Sequence, residues 1–477
     1  MTVRTRFAPS PTGYMHVGNL RTALYTYLIA RKYNGTFILR IEDTDQNRFI
    51  DGATDVIYKT LKQTGLVHDE GPDIGGNYGP YIQSQRREIY KEYAEKLVEL
   101  GGAYYCFCQK EEKTEIDTDD VHAIPQKYDG RCSHLTKEEI ATKLAAGEKY
   151  VIRQKIPSGH TSFDDEVFGH ITVDNNDLDD GVLLKGDGLP TYNFANVVDD
   201  HLMEITHVVR GSEYLSSTPK YNIMYDAFGW EKPIYLHVSP VMKNQTEKLS
   251  KRHGDASFED LINKGYLMEA IINYVALCGW SPGGEREKYS LDEMIEAFDI
   301  KGLSKSPAIF DIQKLNWLNS EYIREMSVEQ FYEIVEPILK ENIKINTDLK
   351  LIAELLKQRT EKLTDIADQV GFFNEILDYP VDYYINKKMK TDLENSKFAL
   401  IKILGVLSAI TVWEKQVIHD QLMALVEQLG LKNGQILYPM RVALSGKLVT
   451  PGGGGEIAYL LGKEETILRL ETAIQLL

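Results

Sequence analysis

A chain of 477 residues is several times the size of a typical domain, so the sequence predicts about three domains. Hydrophobic residues make up 43% and charged residues 26%, a balance typical of globular proteins that excludes wholesale disorder. No apolar run approaches the ~20 residues needed to cross a bilayer. The N-terminal segment lacks an apolar signal region, and four cysteines exclude a secreted disulfide framework. We therefore expect a cytoplasmic protein without membrane contact.

The net charge of −17 is unevenly distributed along the chain. Residues 1–50 carry seven basic and three acidic side chains, and a second basic cluster comprises Lys248, Lys251 and Arg252. Phosphate contacts require lysine and arginine, so these two basic islands could hold anionic ligands. The acidic remainder disfavours nonspecific binding of nucleic acid.

The first 45 residues predict a β-α-β unit. Alternation over residues 3–7 favours a strand that ends by Pro9. Apolar residues then recur with the spacing of one helical face between residues 20 and 28, and residues 36–41 form a short apolar strand. Two strands joined by a helix imply a parallel sheet with a right-handed crossover.

Later segments predict an insertion and a helical C-terminal region. A helix over residues 84–100 precedes an irregular, cysteine-bearing stretch, and strand-like segments follow at 150–155, 171–174 and 182–185. The sheet is expected to resume near Thr191, and helical periodicity dominates after Pro307. We therefore expect an α/β protein: a parallel-sheet domain of the nucleotide-binding type with an inserted subdomain, followed by an all-α region.

Two short motifs suit phosphate chemistry. His16-Val-Gly-Asn19 lies where a loop becomes a helix, and a helix N-terminus offers unpaired N–H groups to an anion. Lys248-Leu-Ser-Lys-Arg252 supplies positive charge that could stabilise a transferring phosphoryl group. Alone, the first is more often a capped turn and the second a solvated surface run. Their occurrence together around a nucleotide-binding type of sheet favours a shared function.

With these motifs the chain resembles the class I aminoacyl-tRNA synthetases: residues 16–19 resemble their HIGH signature and residues 248–252 their KMSKS signature. Further segments are similar, more narrowly, to bacterial-type glutamyl-tRNA synthetases. These segments are Arg6-Phe-Ala-Pro-Ser-Pro-Thr-Gly13, Leu39-Arg-Ile-Glu-Asp-Thr-Asp45, Leu189-Pro-Thr-Tyr-Asn-Phe-Ala-Asn-Val-Val-Asp-Asp-His201, Thr206-His-Val-Val-Arg-Gly211 and Ser306-Pro-Ala-Ile-Phe-Asp-Ile-Gln-Lys-Leu-Asn-Trp-Leu-Asn319.

The resemblance implies ATP-dependent ligation of L-glutamate to the 3′-terminal ribose of tRNA-Glu through a glutamyl-adenylate, with Mg²⁺ accompanying ATP, by a monomeric enzyme. It also implies five segments. Residues 1–84 and 191–243 are the two halves of a Rossmann-type catalytic domain, and residues 85–190 are an inserted acceptor-stem-binding subdomain with a zinc knuckle. Residues 244–325 contact the tRNA stem, and residues 326–477 bind the anticodon and divide near residue 380.

Individual roles follow from the same resemblance. The residues expected to act in catalysis are His16, Asn19, Lys248, Ser250 and Lys251, and those expected to bind ATP are His16, Gly18, Asn19, Glu213, Lys248 and Lys251. Those expected to bind glutamate are Arg6, Ala8, Ser10, Glu42, Tyr192, Asn196 and Arg210. The two arginines suit carboxylates and Glu42 suits the ammonium. On the residues alone, Arg210 could instead form a structural ion pair with Glu213 or Glu204.

Cys106, Cys108, Cys132 and His134 form two close pairs whose soft thiolates and imidazole favour a structural zinc site. The alternative is a set of reduced core cysteines, which would not require so polar a segment. Some relatives use a tyrosine ligand in this insertion, so the resemblance makes Tyr128 an alternative to His134 as fourth ligand. Cys278 lies in an apolar stretch and is expected to be an ordinary core residue.

Four other functions are weighed against this one. A glutaminyl-tRNA synthetase is expected to carry β-barrels after the catalytic half, and a glutamyl-queuosine tRNA synthetase lacks an anticodon-binding domain. A small-molecule nucleotidyltransferase has no use for a helical domain, and an inactive tRNA-binding scaffold need not keep His16, Lys248 and Lys251 together. The sequence leaves open whether tRNA-Gln is also a substrate, which residues read the anticodon, and whether activation requires tRNA.

Overall fold

A computed structural model describes residues 2–45, 50–108, 128–249, 257–376 and 378–477. The chain divides into two compact units, one of residues 1–262 and 271–311 and the other of residues 263–270 and 312–477. The strands are β1 Arg4–Phe7, β2 Thr36–Leu39, β3 Ala103–Cys106, β4 Val151–Gln154, β5 His160–Asp165, β6 Gly169–Asp174, β7 Val182–Leu184, β8 His207–Gly211, β9 Ile234–Val238, β10 Val241–Met242 and β11 Ala308–Ile309.

The helices follow the same order along the chain. Those that begin before residue 300 are α1 Val17–Lys32, α2 Ala53–Gln63, α3 Arg87–Glu99, α4 Lys137–Ala145, α5 Tyr192–Leu202, α6 Thr218–Phe228, α7 Phe258–Asn263, α8 Met268–Leu277 and α9 Leu291–Ala297. Those that begin later are α10 Ile312–Glu325, α11 Val328–Asn342, α12 Leu349–Lys357, α13 Ile366–Val370, α14 Leu393–Ala409, α15 Lys415–Leu429, α16 Asn433–Ser445, α17 Gly454–Leu461 and α18 Lys463–Leu476.

The first unit is built on a six-stranded sheet with the order β2-β1-β8-β9-β5-β6. The pairs β2–β1, β1–β8, β8–β9 and β9–β5 are parallel, and β6 is an antiparallel edge strand. Because α1 connects β1 to β2, the β-α-β unit expected from residues 1–45 is present. The parallel α/β fold class is thereby confirmed, and a separate three-stranded antiparallel sheet, β3-β4-β7, lies within the inserted part of the chain.

The hairpin of β5 and β6 joins the six-stranded sheet, although the sequence groups its residues with the insertion. Thr161, Phe163 and Asp165 are buried and alternate with exposed residues, and the Phe163 ring meets that of Tyr235 on β9 at 5.9 Å. Order along the chain does not reveal which sheet a strand enters, because the apolar partner of Phe163 is some 70 residues away. The hairpin brings Asp165 to the edge where β9 ends.

The second unit is helical, as expected. Its core is formed by the buried faces of helices α11 to α18, for example Phe331, Val335 and Leu339 of α11 and Leu400, Ile403 and Leu407 of α14. These residues recur every three or four positions, which is the spacing of one helical face. In the part of the chain that the structure describes, no helix is long and apolar enough to cross a membrane.

The turn between α1 and β2 offers a test of the fold. The N–H of Gly35 donates to the Ala30 carbonyl at 2.7 Å, and the N–H of Thr36 donates to the Val3 carbonyl at 2.9 Å. A Cβ atom on Gly35 would overlap the Val3 carbonyl oxygen, which belongs to the backbone and cannot rotate away. Gly35→Ala should therefore destabilise the first unit by ~1–3 kcal/mol, measured as a lowered midpoint of thermal unfolding. Gly181→Ala is the matched control, because a Cβ there meets no atom within 4 Å.

Candidate active site

The residues expected to bind ligands lie where parallel strands end. Arg6 is the penultimate residue of β1, Arg210 the penultimate residue of β8, and Glu42 follows β2 by three residues. In open α/β sheets the carboxyl ends of neighbouring strands face a common crevice that holds the ligand. The topology therefore gathers side chains that are separated by up to about 200 residues of sequence.

His16 links the two signature segments. It caps the N-terminus of α1, where its Nδ1 accepts a hydrogen bond from the Gly18 N–H at 3.0 Å. Because Nδ1 is an acceptor, the proton lies on Nε2, which donates to the Leu249 carbonyl at 3.1 Å. Gly18 and Asn19 lie on the first turn of α1, so their N–H groups belong to the electropositive end of that helix.

Ser250 and Lys251 lie outside the described residues, but both flanks of their segment contact the His16 region. Leu249 accepts from His16 on one side, and on the other Ser257 forms a β-bridge with His16. The Phe258 N–H also donates to the Met15 carbonyl at 3.0 Å. Lys248 is exposed, and the Leu249 N–H donates to the Val241 carbonyl of β10 at 3.2 Å. The last described residue before this segment and the first described residue after it therefore both contact the first signature.

Beneath the site lies a buried network of charges. Arg40 is fully buried, and it donates hydrogen bonds to Glu42 at 2.9 Å and to Asp200 at 2.8 Å. Arg6 also donates to Asp200, at 3.0 Å, and its Nη1 donates to the Val209 carbonyl at 3.3 Å. Burial would raise the pKa of Asp200, but Arg6 and Arg40 outweigh it and lower that pKa. The positive charge of Arg6 is thus already matched inside the protein.

For Glu42 the effect of burial on the pKa outweighs that of the neighbouring arginines. Burial raises the pKa of its carboxyl group to about 7, against the opposing charges of Arg40 and Arg6. Its Oε1 atom accepts from Arg40. A carboxylate in this environment would gain from the approach of a further cation, because a positive charge stabilises its ionised form. This is consistent with a site for an ammonium group.

Arg210 is buried without an acidic partner. Its Nε donates to His237 Nε2 at 3.1 Å, its Nη2 donates to Thr218 Oγ1 at 2.9 Å, and its guanidinium lies 4.6 Å from the Tyr221 ring centre. Within the described ranges, no carboxylate oxygen lies within ion-pair distance of Arg210. Arg210 therefore retains an uncompensated charge at the carboxyl end of β8.

The two ion pairs that the sequence offered for Arg210 are not formed. Glu204 accepts a hydrogen bond from the Tyr78 hydroxyl at 2.7 Å. The exposed Glu213 folds its carboxylate over Gly211, so closely that a Cβ at position 211 would overlap it. A structural role for Arg210 as half of either pair is therefore contradicted.

The remaining residues expected to bind glutamate surround Arg210 and Glu42 to different degrees. Tyr192 is held by burial, and by the charge of Glu42, with its pKa well above the usual range, so its hydroxyl is neutral. Asn196 is buried and donates to the Tyr192 carbonyl at 2.7 Å one helical turn away. Ala8 and Ser10 lie in the loop after β1, where Ser10 is exposed.

Two residues of the buried charge network, Asp199 and Arg40, were given no role on the basis of the sequence. Asp199 accepts from Arg86 and from the Tyr90 hydroxyl, both at 2.8 Å, and is fully buried beside Asp200. The sequence signal for Asp199 was its position next to Asp200 in an otherwise apolar helical stretch. Because buried charges require partners, such a pair predicts buried cations nearby. Arg40, within an apolar strand region, carried the same signal.

A second candidate site lies on the insertion. The sulfur atoms of Cys106, Cys108 and Cys132 lie within 4.8 Å of one another. The Tyr128 hydroxyl lies 3.4 Å from Cys106 Sγ and 3.5 Å from Cys108 Sγ, whereas the His134 ring does not share this cluster. Burial would raise the pKa of Cys106, but hydrogen bonds with Tyr128 and Arg153 contribute to lowering it. Burial raises the pKa of Cys108, so Cys106 is the one of these two thiols shifted toward the thiolate, the form that binds zinc.

Known proteins match the chain over its whole length. The family model described as "tRNA synthetases class I (E and Q), catalytic domain" matches residues 2–317, and the model "Anticodon binding domain" matches residues 330–474. A glutamate–tRNA ligase of Clostridium botulinum is 59% identical over 480 residues, covering 100% of this chain and 99% of its own. One of Clostridium tetani is 59% identical over 475 residues, covering 99% and 97%.

Solved structures agree with these relatives. The crystal structure of a glutamate tRNA ligase from Elizabethkingia meningosepticum, in complex with its amino acid, has 36% sequence identity and a TM-score of 0.86. That similarity covers 100% of this chain and 99% of the other. The glutamate–tRNA synthetase of Elizabethkingia anophelis gives the same identity and TM-score. The chain therefore belongs to the class I tRNA synthetases for glutamate and glutamine, and among them to the glutamate–tRNA ligases.

Proposed function

We propose that this protein joins L-glutamate to the 3′-terminal ribose of tRNA-Glu at the expense of ATP. A carboxylate oxygen of the glutamate α-carboxyl group attacks the α-phosphorus of ATP, and pyrophosphate leaves. A ribose hydroxyl of the tRNA then attacks the carbonyl carbon of the glutamyl-adenylate, and AMP leaves. The observation that carries the proposal is Arg210, a buried, uncompensated cation at the ligand-binding edge of a nucleotide-binding type of sheet.

Adenylate formation requires charge stabilisation and positioning, and it needs no protein nucleophile. The N-terminal turn of α1, with His16, Gly18 and Asn19, is assigned to ATP, which enters as its Mg²⁺ complex. Lys248, Ser250 and Lys251 are assigned to the pyrophosphate side, and Glu213 to ATP. The contacts of Leu249 and Ser257 with His16 support this assignment, because these are the described residues on either side of positions 250–256 and both contact the first signature.

The amino acid carries two carboxylates and one ammonium. Glu42 is assigned to the ammonium, and Tyr192, Asn196, Ser10 and Ala8 to neutral contacts. Arg6 is bound to Asp200 already, whereas Arg210 has no acidic partner in the described part of the chain, so we assign the side-chain carboxylate mainly to Arg210. Arg6 has a supporting role in this assignment.

The helical unit is assigned to the anticodon. The match of residues 330–474 to an anticodon-binding family supports this, and it disfavours a glutamyl-queuosine enzyme or a simple nucleotidyltransferase. The all-α structure of the unit disfavours a glutaminyl enzyme, for which β-barrels are expected. We further propose a monomeric enzyme whose acceptance of tRNA-Gln is set by this unit.

One assay tests the proposal as a whole. Purified protein is incubated with ATP, radiolabelled glutamate and separate tRNA-Glu and tRNA-Gln transcripts, and acid-precipitable label is counted. Charging of tRNA-Glu is the expected result, and charging of tRNA-Gln as well would define a non-discriminating enzyme. Labelled glutamine is the control substrate. Charging of neither tRNA, or of tRNA-Gln with glutamine only, would contradict the proposal.

Arg210 should determine the choice of amino acid. Glutamate and glutamine are nearly isosteric, and a guanidinium has donors but no acceptor, so it pairs with a carboxylate and opposes the glutamine –NH₂ group. Arg210→Gln should reduce kcat/KM for glutamate by roughly ten- to a hundredfold and narrow the glutamate-to-glutamine ratio. Pyrophosphate exchange with tRNA present measures both. Arg31→Gln removes the same charge at a partly exposed ion pair with Asp69, outside the segments assigned to tRNA, and should change neither. An unchanged ratio in Arg210→Gln would pass the role to Arg6.

We also propose that the cysteine cluster holds a structural zinc ion with Tyr128 as fourth ligand. Three thiols within 4.8 Å of one another fit the preference of zinc for sulfur, and the Tyr128 hydroxyl lies among them. Bound zinc would cross-link residues 106–108 to residues 128–132 and so fix the base of the insertion.

The zinc assignment is tested on purified protein. Metal analysis should find about one zinc per chain, and Cys106→Ser should lose it, because three sulfur ligands would become two. Tyr128→Phe should weaken zinc retention against a chelator, whereas His134→Ala should not. If His134→Ala weakened zinc retention and Tyr128→Phe did not, His134 would be the ligand. A wild-type protein that is folded and free of metal would exclude the zinc site.

A further inference from the structure

Arg210 is one end of a buried chain of hydrogen bonds that crosses three strands. Asp165, at the end of β5, accepts from His237 Nδ1 at 2.6 Å, and His237, on β9, accepts at Nε2 from Arg210 at 3.1 Å. His237 is fully buried and Asp165 is 3% exposed. Neither residue belongs to a motif that the sequence singles out. A buried histidine between an acid and an arginine requires a physical explanation.

Asp165 is fixed from four directions. Its Oδ1 atom accepts from the backbone N–H groups of Val167 at 3.0 Å and Phe168 at 2.8 Å. Its Oδ2 atom accepts from the backbone N–H of His237 at 3.0 Å as well as from the imidazole. Four donors converge on this carboxyl group, so it acts only as an acceptor.

The Asp165 carboxylate, which faces Nδ1, determines the tautomer of His237. The Nδ1 proton is donated to Asp165, which leaves a lone pair on Nε2 to accept from the Arg210 Nε–H. The Thr218 hydroxyl also lies 3.3 Å from Nε2, but it donates its proton to the Tyr214 carbonyl at 2.9 Å. A protonated ring would direct its Nε2–H at the N–H of Arg210, which lies nearer, at 3.1 Å. Burial lowers the pKa of His237, against the opposing hydrogen bond to Asp165, and the neutral form is thereby favoured.

This geometry leaves a defined part of Arg210 to a ligand. The guanidinium has five N–H bonds, of which His237 takes the one on Nε and Thr218 takes one on Nη2. Among the described residues, Nη1 has no hydrogen-bond acceptor. Of the three remaining N–H bonds, one on Nη1 and one on Nη2 form the outer fork, which suits bidentate contact with a carboxylate.

The neutral imidazole also separates Arg210 from Asp165. A carboxylate placed directly on Nε would orient the guanidinium equally well, but it would compensate its charge and compete with an anionic ligand. We infer that His237, oriented by Asp165, is a positioning residue that aims the outer fork of Arg210 at the side-chain carboxylate of the amino acid while leaving its charge available. This inference rests on the proposed role of Arg210 in glutamate binding.

Two variants break the chain in different ways. His237→Leu removes the acceptor. Asp165→Asn, with little change of size, replaces one of the two acceptor oxygens with an N–H₂ group that opposes N–H donors in either orientation, and so weakens the hold of residue 165 on the His237 ring. Each should raise KM for glutamate by roughly ten- to a hundredfold, the effect of losing a charged hydrogen bond, and leave KM for ATP within about twofold. His237→Gln can both accept from Arg210 and donate to Asp165, so it should stay within about fivefold of wild type.

The measurements are pyrophosphate exchange on the full chain with tRNA-Glu, with the midpoint of thermal unfolding as a check of folding. Parallel increases in KM for glutamate and ATP, no change in either, or equal impairment of His237→Gln and His237→Leu would overturn the inference. If His237→Leu does not fold, Asp165→Asn and His237→Gln decide it by the same criteria.

A double-mutant cycle separates this inference from the proposed function. In an Arg210→Gln background, His237→Leu should have little further effect on KM for glutamate, because its partner is absent. Full additivity would mean that His237 acts independently of Arg210, which contradicts the inference alone. A normal KM and amino-acid ratio in Arg210→Gln itself would instead remove the role proposed for Arg210.

Discussion

A guanidinium keeps its proton under all conditions in which a protein folds, so each buried arginine must find negative charge or strong acceptors. At the ligand-binding edge of the sheet, Arg6, Arg40 and Arg86 satisfy this constraint with Glu42, Asp199 and Asp200. Among the described residues, Arg210 satisfies it with neutral groups alone. The three compensated arginines fix the architecture of the candidate site, and the fourth is the one that we propose binds a ligand.

Buried ion pairs of this kind carry a large desolvation cost, and removal of one partner leaves an uncompensated charge. Asp200 serves both Arg6 and Arg40, so one carboxylate joins the ends of β1 and β2 to α5. These contacts do more than stabilise the fold. They hold Glu42 in position and match the charge of Arg6, which is why we propose Arg210 and not Arg6 as the main cationic ligand, although the two look alike in the sequence.

The parts of this structure that were predictable from the sequence are those with local signals. The β1-α1-β2 unit follows from period-two and helical spacing, and the helical unit from apolar residues repeated every three or four positions. The partners of Arg210 carry no such signal. His237 is 27 residues away and Asp165 lies in a hairpin whose chain position falls within the insertion, so only the strand order brings them together.

The sequence also left open which of two side chains occupies a given position in the structure. Spacing alone did not distinguish His134 from Tyr128 beside the cysteines, because the outcome depends on which face of the loop meets the sulfur atoms. Nor did it distinguish an ion-paired Arg210 from an uncompensated one, since Glu213 is near in sequence but folds over Gly211.

The path of the chain through β5 bears on how such enzymes can be recombined. Between the strands β4 and β7 of the small sheet, the chain passes through the large sheet and leaves Asp165 beside His237. A chimaera that exchanged residues 85–190 as one module would therefore import a foreign residue at position 165. Exchange points confined to residues 103–154 would keep the host's own Asp165, and with it the whole hydrogen-bonded chain, in a single inherited piece.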